Sequence, residues 1–415
     1  MRRYGGAVIP MQQSFDLEQI KGLKIEVGSM EQVLRMHLLP PLSLFDDTVL
    51  DFMNTVSGIL MKDKAARAYP DVVTLGFWLR KANLLSLKAM HLKELEGCRR
   101  IGRGLAFHIA PSNVPVNYAY SLFTGLLCGN ANIVKIPSKT FPQVELINRS
   151  IQKALEEWQE LAPYIALVRY GHETEINDVL SAMADARVIW GGDRTIGEIR
   201  KSPLKSRAVE VAFADRFSLA VVDADAYLEL PDRKKTAVDF YNDTYLTDQN
   251  ACTSPRLLVW MGNRKEEAKR LFWSELHTLV KEKYQLQPVQ AVNKLTSLYL
   301  AAAKRGGLQK TDTVDNLIYR VRVEAVSEDL MEYKENSGYF YEYDCQNIEE
   351  LYPLCNDVHC QTVSYLGDKE LLLPLLEKAP KGIDRVVPMG KTMDFELIWD
   401  GYQLLQQLSR SIRIY

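Results

Sequence analysis

From Gly104 onward, short unbroken apolar runs alternate with longer stretches whose apolar residues recur every three or four positions. Residues 105–110 form a run of strand length, closed by Pro111-Ser112-Asn113-Val114-Pro115. Residues 118–127 have helical spacing and end at Gly129-Asn130, a common helix stop. Ile133-Val134-Lys135-Ile136 is the next strand, and Pro137 ends it. Val144, Ile147, Ile151, Leu155 and Trp158 then share one helical face. A strand over 165–168, a helix over 173–184 and a strand over 187–190 follow. The last runs into Gly191-Gly192 and a short helix over 195–200. Apolar runs over 208–213 and 217–222 complete the series. Strand–helix alternation of this kind predicts an α/β fold with a parallel, doubly wound sheet covered on both faces. Such sheets bind ligands outside the carboxyl ends of their strands. The loops 111–115, 137–139 and 191–193 all stand at such ends.

Outside this region the pattern predicts a leading helical layer, with helices over 45–61 and 77–95. Past Asp223-Ala224-Asp225 a charged helix over 232–245 leads to Cys252. A strand over 257–260 and a helix over 265–284 come next, then a second α/β unit with a strand over 362–366 and a helix over 369–378. The tail, 395–409, has amphipathic spacing and predicts a helix. The expected division is a helical layer plus Rossmann-type cofactor domain over 1–224, a nucleophile-bearing α/β catalytic domain over 225–390, and a C-terminal helix within 391–415 that packs back on the first domain.

Composition narrows the function classes. The 415 residues carry Lys+Arg 51 against Asp+Glu 53, a net charge of -2, so no basic excess exists to hold nucleic acid. With 47% hydrophobic residues the chain can bury a large core. Cys98, Cys128, Cys252, Cys345, Cys355 and Cys360 contain no C-x-x-C pair, which argues against a disulfide framework and a zinc knuckle. His359 lies between Cys355 and Cys360 without a second ligand pair, so no metal is expected. No run reaches the ~18 apolar residues that cross a bilayer. Met1-Arg2-Arg3-Tyr4 has no apolar region behind it, and the expected setting is the reducing cytoplasm.

Candidate chemistry centres on Cys252. It sits in the polar turn Asp248-Gln249-Asn250-Ala251-Cys252-Thr253-Ser254-Pro255, at the mouth of a strand. Many cysteines only pack, but these polar neighbours suit a thiol that attacks acyl groups. Asn113, between two prolines at a strand end, can offer its amide to a developing oxyanion, although asparagine is also common in ordinary turns. Lys135, in a strand that ends at a sheet edge, can reach a ribose or its 2′-phosphate, with Ser138 just beyond it. No acid follows in Lys135-Ile136-Pro137-Ser138-Lys139, so a ribose phosphate would be tolerated. Gly191-Gly192-Asp193 opens a helix after a strand and can approach a pyrophosphate, though no G-x-G-x-x-G is present. Glu210, within Ala208-Val209-Glu210-Val211-Ala212, is expected to have a raised pKa and to serve as an acid or base, or else to face outward. His108 reads as a satisfied core histidine.

These residues carry a resemblance. The chain resembles the aldehyde dehydrogenase superfamily and, within it, the acyl-CoA reductases of the bacterial luminescence type (the LuxC family). The matching segments are Gly104-Leu105-Ala106-Phe107-His108-Ile109-Ala110-Pro111-Ser112-Asn113-Val114-Pro115, Gly129-Asn130-Ala131-Asn132-Ile133-Val134-Lys135-Ile136-Pro137-Ser138, Gln249-Asn250-Ala251-Cys252-Thr253-Ser254-Pro255, Gly382-Ile383-Asp384-Arg385-Val386-Val387-Pro388-Met389-Gly390 and Trp399-Asp400-Gly401-Tyr402. The resemblance implies that Cys252 forms an acyl thioester, with Asn113 and the Cys252 N–H as oxyanion donors. It implies a cofactor site at Ala110, Pro111, Ser112, Lys135, Ser138, Gly191, Gly192 and Asp193. Ser138 stands where NAD-preferring members carry a glutamate, which implies NADPH. Glu210 matches the glutamate that activates water in aldehyde-oxidising members, but its flanks depart from their Glu-Leu-Gly-Gly. The implied activity is NADPH-dependent reduction of a fatty acyl-CoA to an aldehyde. The implied partners are an acyl donor protein or acyl-activating synthetase, and further copies of the chain in a homo-oligomer. Three alternatives remain open: an acyl-phosphate reductase, a non-redox cysteine acyltransferase or thioesterase, and a non-catalytic scaffold.

Overall fold

The computed structural model describes Phe15, Thr313 and residues 18–93, 98–171, 173–311 and 315–413. The opening Met1-Arg2-Arg3-Tyr4 segment lies outside the described residues. Seven strands come first: β1 (Lys24–Val27), β2 (Cys98–Gly102), β3 (Leu105–Ile109), β4 (Ala131–Lys135), β5 (Ile165–Arg169), β6 (Ala186–Trp190) and β7 (Val209–Phe213). Six of them form one sheet in the order β1-β5-β4-β3-β6-β7, parallel except for β1. Every residue of β3 and β6 is buried, as expected for strands covered on both faces. The helix Asn117–Leu127 lies close against β4 because Gly125 carries no side chain; a Cβ there would meet Asn132 Oδ1 at 1.9 Å. That helix stops where Gly129 takes φ +81°, the left-handed cap its sequence announces.

A second sheet uses β8 (Phe217–Asp223), β9 (Pro255–Met261), β10 (Leu308–Lys310), β11 (Tyr319–Val323), β12 (Tyr339–Asp344), β13 (Cys360–Leu366) and β14 (Arg385–Pro388). Its order is β10-β11-β12-β9-β8-β13-β14, parallel except for β10. Alternate residues feed two cores. Leu219, Val221, Leu257 and Val259 face one layer, whereas Ala220, Val222, Leu258 and Trp260 face the helices Arg233–Asp243 and Lys265–Lys283 through Phe240, Phe272 and Leu276. Among the described residues no helix is long and apolar enough to cross a membrane.

Three expectations need correction. The run 217–222, placed with the first domain, is β8 of the second sheet, where it pairs with β9 and β13. A strand buried on both faces reads the same in either sheet, so periodicity cannot assign it. The single helix over 77–95 is two helices, Pro70–Trp78 and Lys81–Leu92. The C-terminal helix over 395–409 is instead β15 (Ile398–Trp399), β16 (Tyr402–Gln403), one helical turn (Leu404–Gln407) and β17 (Ser409–Arg413). Asp400 and Gly401 take φ +48° and +72° between β15 and β16, the two-residue hairpin turn that an Asp-Gly pair favours. β17 pairs with β2, and the Asn130 amide donates to Leu408 O at 2.8 Å, so the tail lies along the first sheet's layer.

Candidate active site

The two sheets meet so that segments following β3, β6 and β7 face segments preceding β8 and β9 across one cavity of about 570 Å³. Carboxyl ends of the first sheet form one side. Amino ends of the second form the other. Pro111, Asn113, Gly191, Gly192 and Cys252 all line it. The structure thus brings together the nucleophile, the amide donor and the glycine loop from three separate stretches of sequence.

The turn that presents Cys252 is held firmly. Asp248 and Gln249 both take φ +53°, a left-handed pair that costs on the order of 1–3 kcal/mol per residue unless the surroundings fix it. They are fixed. The Gln249 side chain accepts from the N–H groups of Gly338 (2.6 Å) and Tyr339 (3.1 Å) and donates to Pro255 O (3.1 Å). Buried Arg256 donates to the carbonyls of Gln249 and Glu335. Asp248 accepts from the Tyr284 hydroxyl and from Gln290 Nε2. Ser218 Oγ donates to Cys252 O at 2.8 Å, which orients the peptide that bears the thiol.

Cys252 is half-buried, and it is free. Its thiol is pushed up to about 12, first by burial and then by the negative charge of Asp400. A hydrogen bond from Gln361 and the charge of Arg216 pull the other way without cancelling that effect. The resting side chain is therefore the thiol, and attack on a carbonyl requires a proton acceptor.

The rest of the cavity is largely apolar. Trp190 and Phe213 stack with ring centroids 3.7 Å apart, and Phe395 stacks on Tyr120 at 5.1 Å. Trp190, Phe213, Phe395 and Trp399 all line the cavity. Its cations are already engaged. Arg216 pairs with Asp384 and donates to Val358 O; Arg256 holds two carbonyls; Lys334 pairs with Asp215 at 3.2 Å.

The remaining predicted residues lie around this cavity or away from it. Ala110, Ser112, Lys135, Ser138 and Asp193 are at the same carboxyl edge of the first sheet but do not line the cavity. Lys135 Nζ donates to Gly171 O at 2.8 Å and sits 4.0 Å over the Tyr170 ring. Ser138 is exposed. Asp193 begins the helix Asp193–Ile199 and accepts from His359 at 3.4 Å. Glu210 requires correction. It lies near the start of β7, opposite Arg187 of β6, and so at the far end of the strand from the cavity. Its carboxylate pairs with Arg187 at 2.5 Å and Arg200 at 2.7 Å. Burial alone would raise its pKa, but hydrogen bonds and charge from Arg200 and Arg187 outweigh that and hold it below the usual carboxylate range. His108 is indeed satisfied, by Ser121 Oγ (2.8 Å) and Asn132 Oδ1 (3.0 Å), and burial lowers it to about 4.

Four polar residues near Cys252 were not singled out from sequence: Asp215, Arg216, Gln361 and Asp400. Asp400 was within reach, because the Asp-Gly pair in Trp399-Asp400-Gly401-Tyr402 marks a hairpin that would present it.

Comparison with known proteins agrees with this architecture. The fold is similar to that of lactaldehyde dehydrogenase from Escherichia coli (TM-score 0.60, 14% identity, covering 93% of this chain and 88% of that one). It is also similar to NADP-dependent glyceraldehyde-3-phosphate dehydrogenase from Bacillus halodurans C-125 (TM-score 0.57, 15% identity, covering 92% and 85%). In sequence, the long-chain acyl-protein thioester reductase of Vibrio harveyi is 25% identical over 325 residues, and that of Photorhabdus luminescens 24% over 319. These alignments take in 76% and 75% of this chain but 65% and 63% of the relatives, so the chain spans somewhat under two thirds of their length. Residues 85–411 match the family model for acyl-CoA reductase (LuxC), and the chain belongs to that family.

Proposed function

We propose that the protein reduces an acyl thioester to an aldehyde with NADPH, through an acyl group carried on Cys252. The observation that carries this reading is the shared cavity: a free, half-buried thiol faces an amide donor and a glycine loop, within apolar walls. Cys252 attacks the acyl carbon and the donor thiol departs. Asn113 and the Cys252 N–H hold the oxyanion as it forms. The nicotinamide, when bound, supplies hydride to the acyl carbon. Collapse of the oxyanion then releases aldehyde and frees the sulfur. The apolar walls exclude water, which would otherwise hydrolyse the thioester. The displacement of Glu210 from the cavity fits a reductase, because its carboxylate is not placed there to activate hydrolytic water.

The residues present fit a dinucleotide. Gly192 is exposed, with nothing within 4 Å of an added Cβ, so backbone there can approach a pyrophosphate. Lys135 stands at the carboxyl end of β4, and the exposed Ser138 and Lys139 that follow favour a phosphorylated ribose. The V. harveyi and P. luminescens relatives are named for acyl-protein thioesters, which supports an acyl-protein as well as acyl-CoA as the donor. An acyl-activating synthetase would be the source of such a donor, and a homo-oligomer is the expected assembly. An acyl phosphate is disfavoured because the cations lining the cavity already hold carboxylates or carbonyls.

The test is NADPH oxidation with a panel of acyl-CoAs and acyl phosphates. Turnover with acyl-CoAs, with aldehyde produced in equal amount, supports the reading. Turnover with acyl phosphates alone, or release of free acid without NADPH oxidation, rejects it.

A further inference from the structure

Cys252 rests as a thiol, so something must take its proton. The tail supplies a group in the right place. Asp400 lines the same cavity, presented by the hairpin of β15 and β16. Its Oδ1 accepts from Gln361 Nε2, on β13, and the same amide favours the ionised form of the Cys252 thiol. Gln361 is 2% exposed, and its Oε1 has no partner among the described residues. One buried amide is therefore bonded to the carboxylate and bears on the thiol's ionisation, with spare accepting capacity on its own Oε1.

We propose that Asp400 is the proton acceptor for Cys252, and that Gln361 is the positioning residue that holds the two together. The assignment rests on the acyl thioester chemistry proposed above. In acyl transfer the Cys252 S–H bond breaks, sulfur bonds to the acyl carbon, and the carbon–sulfur bond of the donor breaks. Asp400 carries the proton from one sulfur to the other, so the donor leaves as a neutral thiol. No electrons are exchanged in this half. After hydride delivery and release of aldehyde, Cys252 remains as thiolate and takes one proton from solvent.

The electrostatics suit the exchange. Asp400 is pushed up to about 6 by burial; Arg216 and the Gln361 hydrogen bond pull it down, Asp384 pushes it up and Arg385 pulls it down. Cys252 feels Asp400, Arg216 and Asp215. The anionic Asp400 is the main charge that holds the thiol up, and that repulsion vanishes when Asp400 accepts the proton. Arg216 and the Gln361 amide then remain to stabilise the thiolate. Acylation should rise as pH rises through about 6, as Asp400 ionises.

The experiment compares the wild-type chain with Asp400→Asn, Asp400→Glu, Gln361→Met and Asp215→Asn, each checked by thermal melting. Two rates are measured: alkylation of Cys252 by iodoacetamide at pH 8, and single-turnover acylation by a long-chain acyl-CoA across pH 5–9. In Asp400→Asn, alkylation should become ~3–10-fold faster, because a neighbouring negative charge is gone. Acylation should become ~100-fold slower and lose its rise near pH 6, because the acceptor is gone. Asp400→Glu should recover part of the acylation. Gln361→Met should slow acylation ~10-fold with the pH limb retained. A thiol that ionises more readily yet is acylated more slowly has no purely structural explanation. Acylation in Asp400→Asn as fast as wild type overturns the proposal, as does a loss that appears in Asp215→Asn instead. If the wild-type chain accepts no acyl group, the proposed function falls. Alkylation then still reports on Asp400, and an unchanged rate in Asp400→Asn overturns its coupling to Cys252.

Discussion

The two ends of the first sheet are built oppositely. At the amino ends of its strands, polar groups are saturated. Glu210 is clamped between Arg187 and Arg200; Asp185 accepts from Leu105 N–H and from Lys205. At the carboxyl ends the chain leaves open backbone at Gly192, an exposed Asn113 and, across the cavity, a free thiol. The closed end holds the fold. The open end is where chemistry can occur. A carboxylate in a strand is thus no guide to catalysis until its end of the strand is known.

Substitutions on the two sides should separate accordingly. Cys252→Ala should abolish aldehyde formation, by at least ~10⁴-fold in steady-state NADPH oxidation, because no acyl carrier remains. Asn113→Ala should lower kcat ~10²–10³-fold with little change in KM, as expected for a donor to the oxyanion. Ser138→Glu should place a carboxylate after β4 and reduce the preference for NADPH over NADH ~30-fold, read as a ratio of kcat/KM values. Phe395→Ala, in the aromatic wall, should raise KM for a long acyl chain ~10-fold and spare a short one. At the closed end, Glu210→Gln should leave turnover within about twofold yet cost about 3 kcal/mol in urea unfolding, because buried Arg187 loses its charge partner. Lost activity without lost stability in Glu210→Gln would collapse the distinction between the two ends.

Much of this was legible in the sequence, for physical reasons that can be named. β3, β4, β5 and β6 are continuous apolar runs because both their faces are covered, and glycine or proline punctuates their ends. Cys252 stood out because polar residues surround it, and those residues prove to be the ones that lock its turn. β1 and β2 were missed: Lys24–Val27 is a short antiparallel edge, and the strand partner of Cys98–Gly102 is β17, more than three hundred residues later. The tail was misread because its apolar spacing suits a helix, while the Asp-Gly turn that breaks it is a two-residue signal. Glu210 was misassigned because alternation along a strand shows which face a side chain takes, not which end of the sheet holds the site. Arg187 and Arg200, which neutralise it, lie 23 and 10 residues away.

The central claim is that Cys252 is loaded with an acyl group within reach of a bound nicotinamide. Intact-protein mass spectrometry after incubation with a long-chain acyl-CoA, followed by addition of NADPH, tests it most directly. The account predicts a single acyl adduct that maps to Cys252 and disappears on NADPH addition, with one equivalent of aldehyde. An adduct elsewhere on the chain, or one on Cys252 that persists with NADPH or leaves only as free acid, would contradict it.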